Sequence, residues 1–422
     1  MTRSSASSSG VAAVIGGSLS GLFAALLLKK HGWEVNIYEQ SAKELTGRGA
    51  GILTHGGLDA TLTELGLETS EKFGVELSGR KVYARDGSVV AALDFPQAAT
   101  SWDRLFDLVR RALPTECYHL GKMLTKLDAE GERASLFFAD GSSTQADLVV
   151  GADGIRSAVR HALLPDIEPV YAGYVAWRGL VEESEFSPAQ REEFFGSLTF
   201  CLPPGEQMVG YLVAGRDNNL APGPRRFNFV WYRPAAQDTE LKRLLTDETG
   251  RTHELSIPPP LVRKDAVAEM RSAGERLLPP LFVDAIRRTP MPFLQPIYDL
   301  AVFRMEFGRV VLIGDAAFVA RPHVGAGVSK AAEDALTLAR CLAQENDVPA
   351  ALRRFQAERL SVGRRIIDRA RHLGAYLQAQ RSTPAERAAA ERHRSPEAVL
   401  AETASLAFLD DVNQGAEAQS RP

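Results

Sequence analysis

The chain has 422 residues, 45% hydrophobic and 24% charged, with a formal net charge of −4. This is the make-up of a globular protein of about two domains, and it disfavours nucleic acid or an anionic membrane surface as a partner. Cys117, Cys201 and Cys341 form no CxxC pair and the eight histidines no HExxH cluster, so neither a disulfide framework nor a metal site is expected, and a reducing, cytoplasmic setting is. Residues 1–10 are Ser-rich without an apolar core and read as a disordered tail; Leu22 to Leu28 is far too short to span a bilayer.

Val11 to Ile15 reads as a buried parallel strand, followed by the turn Gly16-Gly17-Ser18-Leu19-Ser20-Gly21 and a helix pattern from Leu19 to His31. A helix start of this kind suits a pyrophosphate, because its N–H groups are free and its dipole is positive. A second strand, Glu34 to Tyr38, ends at Glu39 and Gln40, and Glu39 lies about 20 residues past the glycines, where a dinucleotide site places the acid that bonds a ribose. Ser18 replaces the middle glycine of GxGxxG, so a ligand there must accept a Cβ. Taken singly, this motif is also compatible with an ordinary strand-to-helix turn.

Thr46 to Ile52 is glycine-rich and carries Arg48; Arg48 reads either as a cover for a phosphate or a ring edge or as part of a surface loop, and Gly51 and Ile52 let backbone pass close to a ring. Arg104 lies on the polar face of a helical pattern, Trp102 to Val109, where solvation is the plain alternative. Thr125–Leu127 and Ser135–Phe138 read as a hairpin. A strand, Leu148 to Val150, then runs into Gly151-Ala152-Asp153-Gly154. The stretch 166–300 changes character: Val170–Val181, Leu198–Leu202, Met208–Val213 and Arg226–Tyr232 are strand-like, and helices fill 236–290. Trp177, Tyr211 and Tyr232 are candidates for a pocket wall or for plain sheet core. Val310 to Ile313 leads to Gly314-Asp315-Ala316-Ala317, where Asp315 either takes a polyol hydroxyl or caps a helix. Arg321-Pro322-His323-Val324-Gly325-Ala326-Gly327 then opens a helix from about Val328, and 328–380 look helical. Three glycine turns at strand ends suggest one large cofactor gripped in three places.

Together these segments resemble the aromatic-ring-hydroxylating class A flavoprotein monooxygenases typified by p-hydroxybenzoate hydroxylase, over roughly residues 11 to 375. Gly16–Gly21 with its serine, Tyr171–Gly179, Phe227–Tyr232 and Arg321–His323 narrow the likeness to the hydroxypyridine hydroxylases, 2,6-dihydroxypyridine 3-hydroxylase among them. The resemblance implies an α/β fold: a Rossmann-like FAD-binding domain, an inserted mainly antiparallel β-sheet substrate domain, and a helical C-terminal region. The expected division is a tail 1–10, FAD domain 11–165, substrate domain 166–300, return to the FAD domain with C-terminal helices 301–380, and a helix with a polar tail 381–422.

The resemblance further implies FAD contacts at Gly16, Gly17, Ser18, Leu19, Ser20, Gly21, Glu39, Gln40, Arg48, Gly51, Ile52, Arg104, Asp153, Gly154, Gly314, Asp315, Pro322, Gly325, Ala326, Gly327 and Val328. It implies transient NADH or NADPH, O2 as co-substrate, and oxygen transfer from a C4a-hydroperoxyflavin to a ring carbon beside a hydroxyl. His323, Pro322 and Tyr211 are the catalytic candidates. His323 either deprotonates the substrate, since an imidazole exchanges protons near neutrality, or only orders its loop. Phe318 and Ser329 depart from the family's usual histidine and asparagine.

The alternatives are a carbocyclic phenol or hydroxybenzoate as substrate, or a non-catalytic flavin-binding regulator. A halogenase is disfavoured, because no two tryptophans fit WxWxIP; an NAD-dependent dehydrogenase would leave Gly314-Asp315 and Arg48 unexplained. The expected partner is a small aromatic substrate, with a homodimer as the prior for assembly.

Overall fold

The computed structural model describes residues 10–45, 51–67, 73–381 and 383–410. Arg48, residues 1–9 of the expected tail and residues 411–422 lie outside the described residues. Two sheets organise the chain. The first has six strands in the order Glu306–Phe307, Val310–Leu312, Leu148–Gly151, Val11–Ile15, Glu34–Tyr38 and Tyr118–His119, parallel except at Glu306–Phe307. Helix Leu19–Lys30 contacts this sheet and also the helix Gly327–Gln344, which is why it is apolar nearly all round rather than along one stripe.

Register explains why the glycine motifs meet. Ile15 lies opposite Gly151, and Gly151 opposite Leu312. Three parallel strands therefore end side by side, and the turns that follow them open along one edge of the sheet, where ligands bind in α/β folds.

The second sheet runs Phe318–Val319, Phe293–Ala301, Val170–Glu182, Arg226–Pro234, Gln207–Val213, Ser197–Cys201, Val75–Tyr83, Val89–Ser101 and Gly51–Leu53. The four strands expected between 170 and 232 are all present. Period-two alternation sorts their side chains. Tyr174, Ala176, Val209, Tyr211, Val230 and Tyr232 share one apolar cluster, while Val175, Trp177, Met208, Leu212, Phe229 and Trp231 share another with helices Lys264–Leu277 and Pro280–Arg288. Trp177 thus belongs to the helix-covered core, the second of its two readings, and not to a pocket wall.

The part of 11–165 that lies outside the first sheet is only partly helical. Besides helices Gly56–Glu64 and Trp102–Ala112 it contains the strands Val75–Tyr83 and Val89–Ser101, and the first of these pairs in parallel with Ser197–Cys201. The sheet is therefore shared across the expected boundary at 165. These strands carry bulges at Leu77/Gly79 and Val82/Tyr83, and a bulge breaks the simple alternation by which a strand is read from sequence. Among the described residues no helix is long and apolar enough to cross a membrane.

Candidate active site

The three glycine turns touch. Gly16 has φ 102°, and a Cβ there would lie 2.5 Å from the Ala152 carbonyl oxygen. A Cβ on Gly21 would lie 1.9 Å from the Gly16 oxygen, and one on Gly314 (φ 58°) 1.9 Å from Ser20 Oγ. Arg160, buried in helix Ala158–Leu163, ties the second turn to the third: its guanidinium donates to Ile155 O at 2.6 Å and to Ala316 O at 3.2 Å. Nothing in the local pattern marks Arg160, because its acceptors are backbone carbonyls brought in by the fold.

At this junction a cavity of about 170 Å³ is lined by Gly16, Ser18, Glu39, Gln40, Asp153 and Gly154. Glu39 is buried, and its two oxygens accept Gly17 N and Ser41 N, each at 2.8 Å. Each oxygen keeps a lone pair that a ribose hydroxyl would use. Helix Leu19–Lys30 starts at Ser18 without a side-chain cap and with no acid in its first turn, leaving its N–H groups open to an anion. Asp153 is different. Its carboxylate accepts Ser157 Oγ at 2.5 Å, Ala158 N at 2.7 Å and Val159 N at 3.2 Å, so it caps a helix and shapes the cavity through Gly154 (φ 75°).

Gly314 packs near Ser20 of helix Leu19–Lys30 and Ala331 of helix Gly327–Gln344. The neighbouring Asp315 starts only a short 3₁₀ turn, Gly314–Ala316, and makes no side-chain cap. It is about half-exposed, and its Oδ1 lies 3.3 Å from Nζ of the buried Lys330, so a free carboxylate oxygen faces outward. The N-terminus of helix Gly327–Gln344 likewise has no side-chain cap and no acid in its first turn, and a Cβ on Gly327 would meet nothing within 4 Å. An acid for a ribose, two open helix starts and a half-free acid between them fit an extended dinucleotide such as FAD.

The second cavity, about 280 Å³, lies between the loop and the sheet face. Pro322, His323, Gly325 and Ala326 come from the loop, Gly327 and Val328 from the helix start, Gly51 and Ile52 from the edge strand, and Arg178, Tyr211 and Tyr232 from the sheet. Gly51 approaches Tyr211 so closely that a Cβ would fall 2.6 Å from its ring. Of the two arginines lining the cavity, Arg321 is matched by buried Asp299 at 2.8 Å. Arg178 donates to Gln295 Oε1 at 2.7 Å, has no carboxylate partner among the described residues, and keeps an Nε without a hydrogen bond. Sequence reading passed over Arg178 except as part of a motif; the signal was its alternation with Tyr174 and Ala176.

His323 is buried, with Nε2 2.8 Å from the Tyr174 hydroxyl and its ring 4.4 Å from that of Tyr232. Burial, and then the Arg321 charge, lower its pKa from 6.5 to about 3. The imidazole is neutral throughout the physiological range, which favours the loop-ordering reading over the base. Between these two values the unfolded chain binds a proton that the folded chain refuses. The stability tied to neutral His323 is therefore complete above pH 6.5 and falls as pH drops towards 3, by about 1.4 kcal/mol per pH unit. Urea midpoints at pH 7 and pH 5 should separate, and His323→Gln should reduce the separation.

Arg104 is not brought to either cavity. Its guanidinium donates to Phe73 O at 3.0 Å and Asn218 O at 2.7 Å, beside a separate cavity with Asp107 and Arg111. Phe318 is buried where Gly363 leaves room: a Cβ on Gly363 would lie 2.4 Å from its ring. The departure at 318 thus serves helix packing.

Residues 171–299 match the model of an FAD binding domain-like family, and residues 295–370 match an FAD binding domain. The chain is 35% identical to 2,6-dihydroxypyridine 3-monooxygenase of Paenarthrobacter nicotinovorans, over 87% of this chain and 91% of that one. It is 30% identical to an FAD-dependent urate hydroxylase of Klebsiella pneumoniae, over 85% and 88%. The solved structure of 2,6-dihydroxypyridine-3-hydroxylase from Arthrobacter nicotinovorans superposes with a TM-score of 0.83 at 33% identity, covering 89% of this chain and 96% of that one. With its glycine turns and two cavities arranged as described, this chain belongs to the FAD-binding monooxygenase family.

Proposed function

We propose that the protein hydroxylates a hydroxylated N-heteroaromatic ring of the hydroxypyridine type, with NAD(P)H as a transiently bound reductant and O2 as co-substrate. The observation that carries this reading is the second cavity: flat aromatic walls from Tyr211 and Tyr232, and one arginine, Arg178, without a carboxylate partner. Two relatives named for N-heterocyclic substrates, dihydroxypyridine and urate, support the choice of ring.

Bound FAD supplies the oxygen-activating redox chemistry that side chains lack. In this reading Glu39 holds the adenosine ribose, Ser18 and the helix start behind it hold the pyrophosphate, and Asp315 takes a ribityl hydroxyl. The backbone of Gly51–Ile52 and Gly325–Val328 passes against the flavin ring. The sheet section of 166–300 supplies the opposite wall. Tyr211, pushed up to about 12 by burial, keeps its proton and donates a hydrogen bond. His323, held near 3, is a poor acceptor for the substrate's proton. The ring hydroxyl therefore loses its proton to bulk solvent before it binds, and the Arg178 charge favours the resulting anion in the cavity. Electron density from that oxygen activates the neighbouring ring carbon.

The test is oxidation of NADH and of NADPH by FAD-loaded protein across hydroxypyridines and hydroxybenzoates, with peroxide release followed. A hydroxypyridine that stimulates oxidation and yields hydroxylated product with little peroxide is the expected result. Stimulation by hydroxybenzoates alone would place a carboxylate on Arg178 and reject the pyridine reading.

A further inference from the structure

One wall of the second cavity comes from beyond the family-matched segments, which end at residue 370. Thr403 and Ala404 line the cavity just past the helix Pro396–Glu402. Arg80, in strand Val75–Tyr83, holds this stretch. Arg80 is 1% exposed, and no carboxylate pairs with its guanidinium among the described residues.

All five of its N–H donors are used. Nε and Nη2 donate to Gln97 Oε1 at 3.2 and 2.6 Å, Nη1 to the carbonyls of Leu400 and Thr403, both at 2.6 Å, and Nη2 to Ala404 O at 3.3 Å. The Phe95 ring lies 3.8 Å from the guanidinium carbon. A buried cation without an anion is tolerable here because carbonyls at a helix C-terminus turn their negative ends towards it, and the planar fork suits several at once.

The far end of the stretch is pinned to the active-site loop. Ala404 N donates to His323 O at 2.7 Å. Ala404 itself has φ 49°, a left-handed conformation uncommon for a residue with a Cβ, and its methyl group faces Gly325, where an added Cβ would fall 2.9 Å away. On the other side Glu402 pairs with His393 at 2.5 Å and Arg369 at 3.5 Å.

We propose that residues 400–404 are a clasp that closes the ring-binding cavity and sets its size, with Arg80 as the positioning residue that seats it. The part about the ring rests on the substrate reading above; the closure does not. Arg80 touches neither ring nor flavin in this scheme and acts through Thr403 and Ala404. Selectivity for small planar rings then follows from Ala404 and Gly325 meeting at the cavity edge.

The experiment uses the FAD-loaded full chain with Arg80→Met and Ala404→Asn, asparagine being tolerated in the left-handed conformation of residue 404. Three quantities are read: iodide quenching of the flavin fluorescence, hydrogen exchange across 398–406, and the Kd of 2,6-dihydroxypyridine from perturbation of the flavin absorbance without reductant. Arg80→Met should raise quenching and exchange and weaken the ring by about tenfold or more, with flavin content unchanged. Ala404→Asn keeps the Arg80 bonds but adds bulk at the cavity edge, and should weaken the ring without raising quenching. Wild-type quenching and exchange in a folded Arg80→Met would overturn the clasp. If Arg80→Met does not fold, ring affinity unchanged in Ala404→Asn would do so. Raised quenching in Arg80→Met, in a protein whose unaltered form binds no hydroxypyridine, would keep the clasp and reject the substrate reading.

Discussion

Gly16→Ala should purify without flavin and unfold at a markedly lower temperature. Gly16 N donates to Tyr38 O at 2.9 Å, and Ala152 N donates to Ile15 O at 2.8 Å, so both backbones at the contact are locked into the sheet. An added Cβ would stand 2.5 Å from Ala152 O and 2.7 Å from Asp153 Cα, and no flexible side chain is there to yield. Left-handed strain and overlap together should cost roughly 3 kcal/mol or more, a large part of a typical net stability. Gly250→Ala, away from both cavities, is the control. Its φ is also positive, at 84°, but a Cβ there meets nothing within 4 Å. It should carry only the conformational cost, about 1 kcal/mol, and keep its flavin. Flavin absorbance per protein and thermal unfolding of the two variants decide the matter; equal behaviour would mean that close packing of the turns is not what the cofactor requires.

Arg178→Met should leave flavin content unchanged and weaken a ring anion by roughly 10- to 150-fold, the equivalent of about 1.5–3 kcal/mol for a charged hydrogen bond. Methionine keeps much of the side chain's bulk, so the sheet face should hold. Arg178→Lys restores the charge but not the planar fork and should fall between. Titrating flavin absorbance with 2,6-dihydroxypyridine at several pH values checks this, because the loss should be greatest where the ligand is ionised. Affinity independent of Arg178 at every pH would remove the anion from the proposal.

Much of the architecture is legible before folding is considered. The strand Val11–Ile15, the glycine turn, the helix from Leu19 and the strand ending at Glu39 are local signals, each set by apolar runs and by the conformational freedom of glycine. The same holds for the four strands of the substrate sheet and for the helix beyond Gly327. Parallel register then brings the turns together, so the cofactor site was readable from spacing and chemistry.

The substrate cavity was much less so. Which of Trp177 and Arg178 faces the cavity depends on a one-residue phase in a strand rich in apolar residues on both faces, and only the packing of helices Lys264–Leu277 and Pro280–Arg288 against one of those faces settles it. Arg104 looked like a ligand because its residue type suits that chemistry, yet the fold gives it two carbonyls to hold, while Asp153 lines the first cavity and its carboxylate also caps a helix. His323 carries an imidazole whose ordinary pKa suits a base, but burial beside Arg321 lowers that pKa and makes it a weaker one.

By itself, then, the sequence determined the α/β class, the strand–turn–helix units around the glycine motifs and a candidate cofactor site among them, because these rest on short-range preferences of the backbone. Tertiary structure alone decided the burial of His323, the facing of Arg178 and the seating of residues 400–404 on Arg80. Desolvation, side-chain facing and contacts across more than three hundred residues of chain exist only once the sheets and helices have packed.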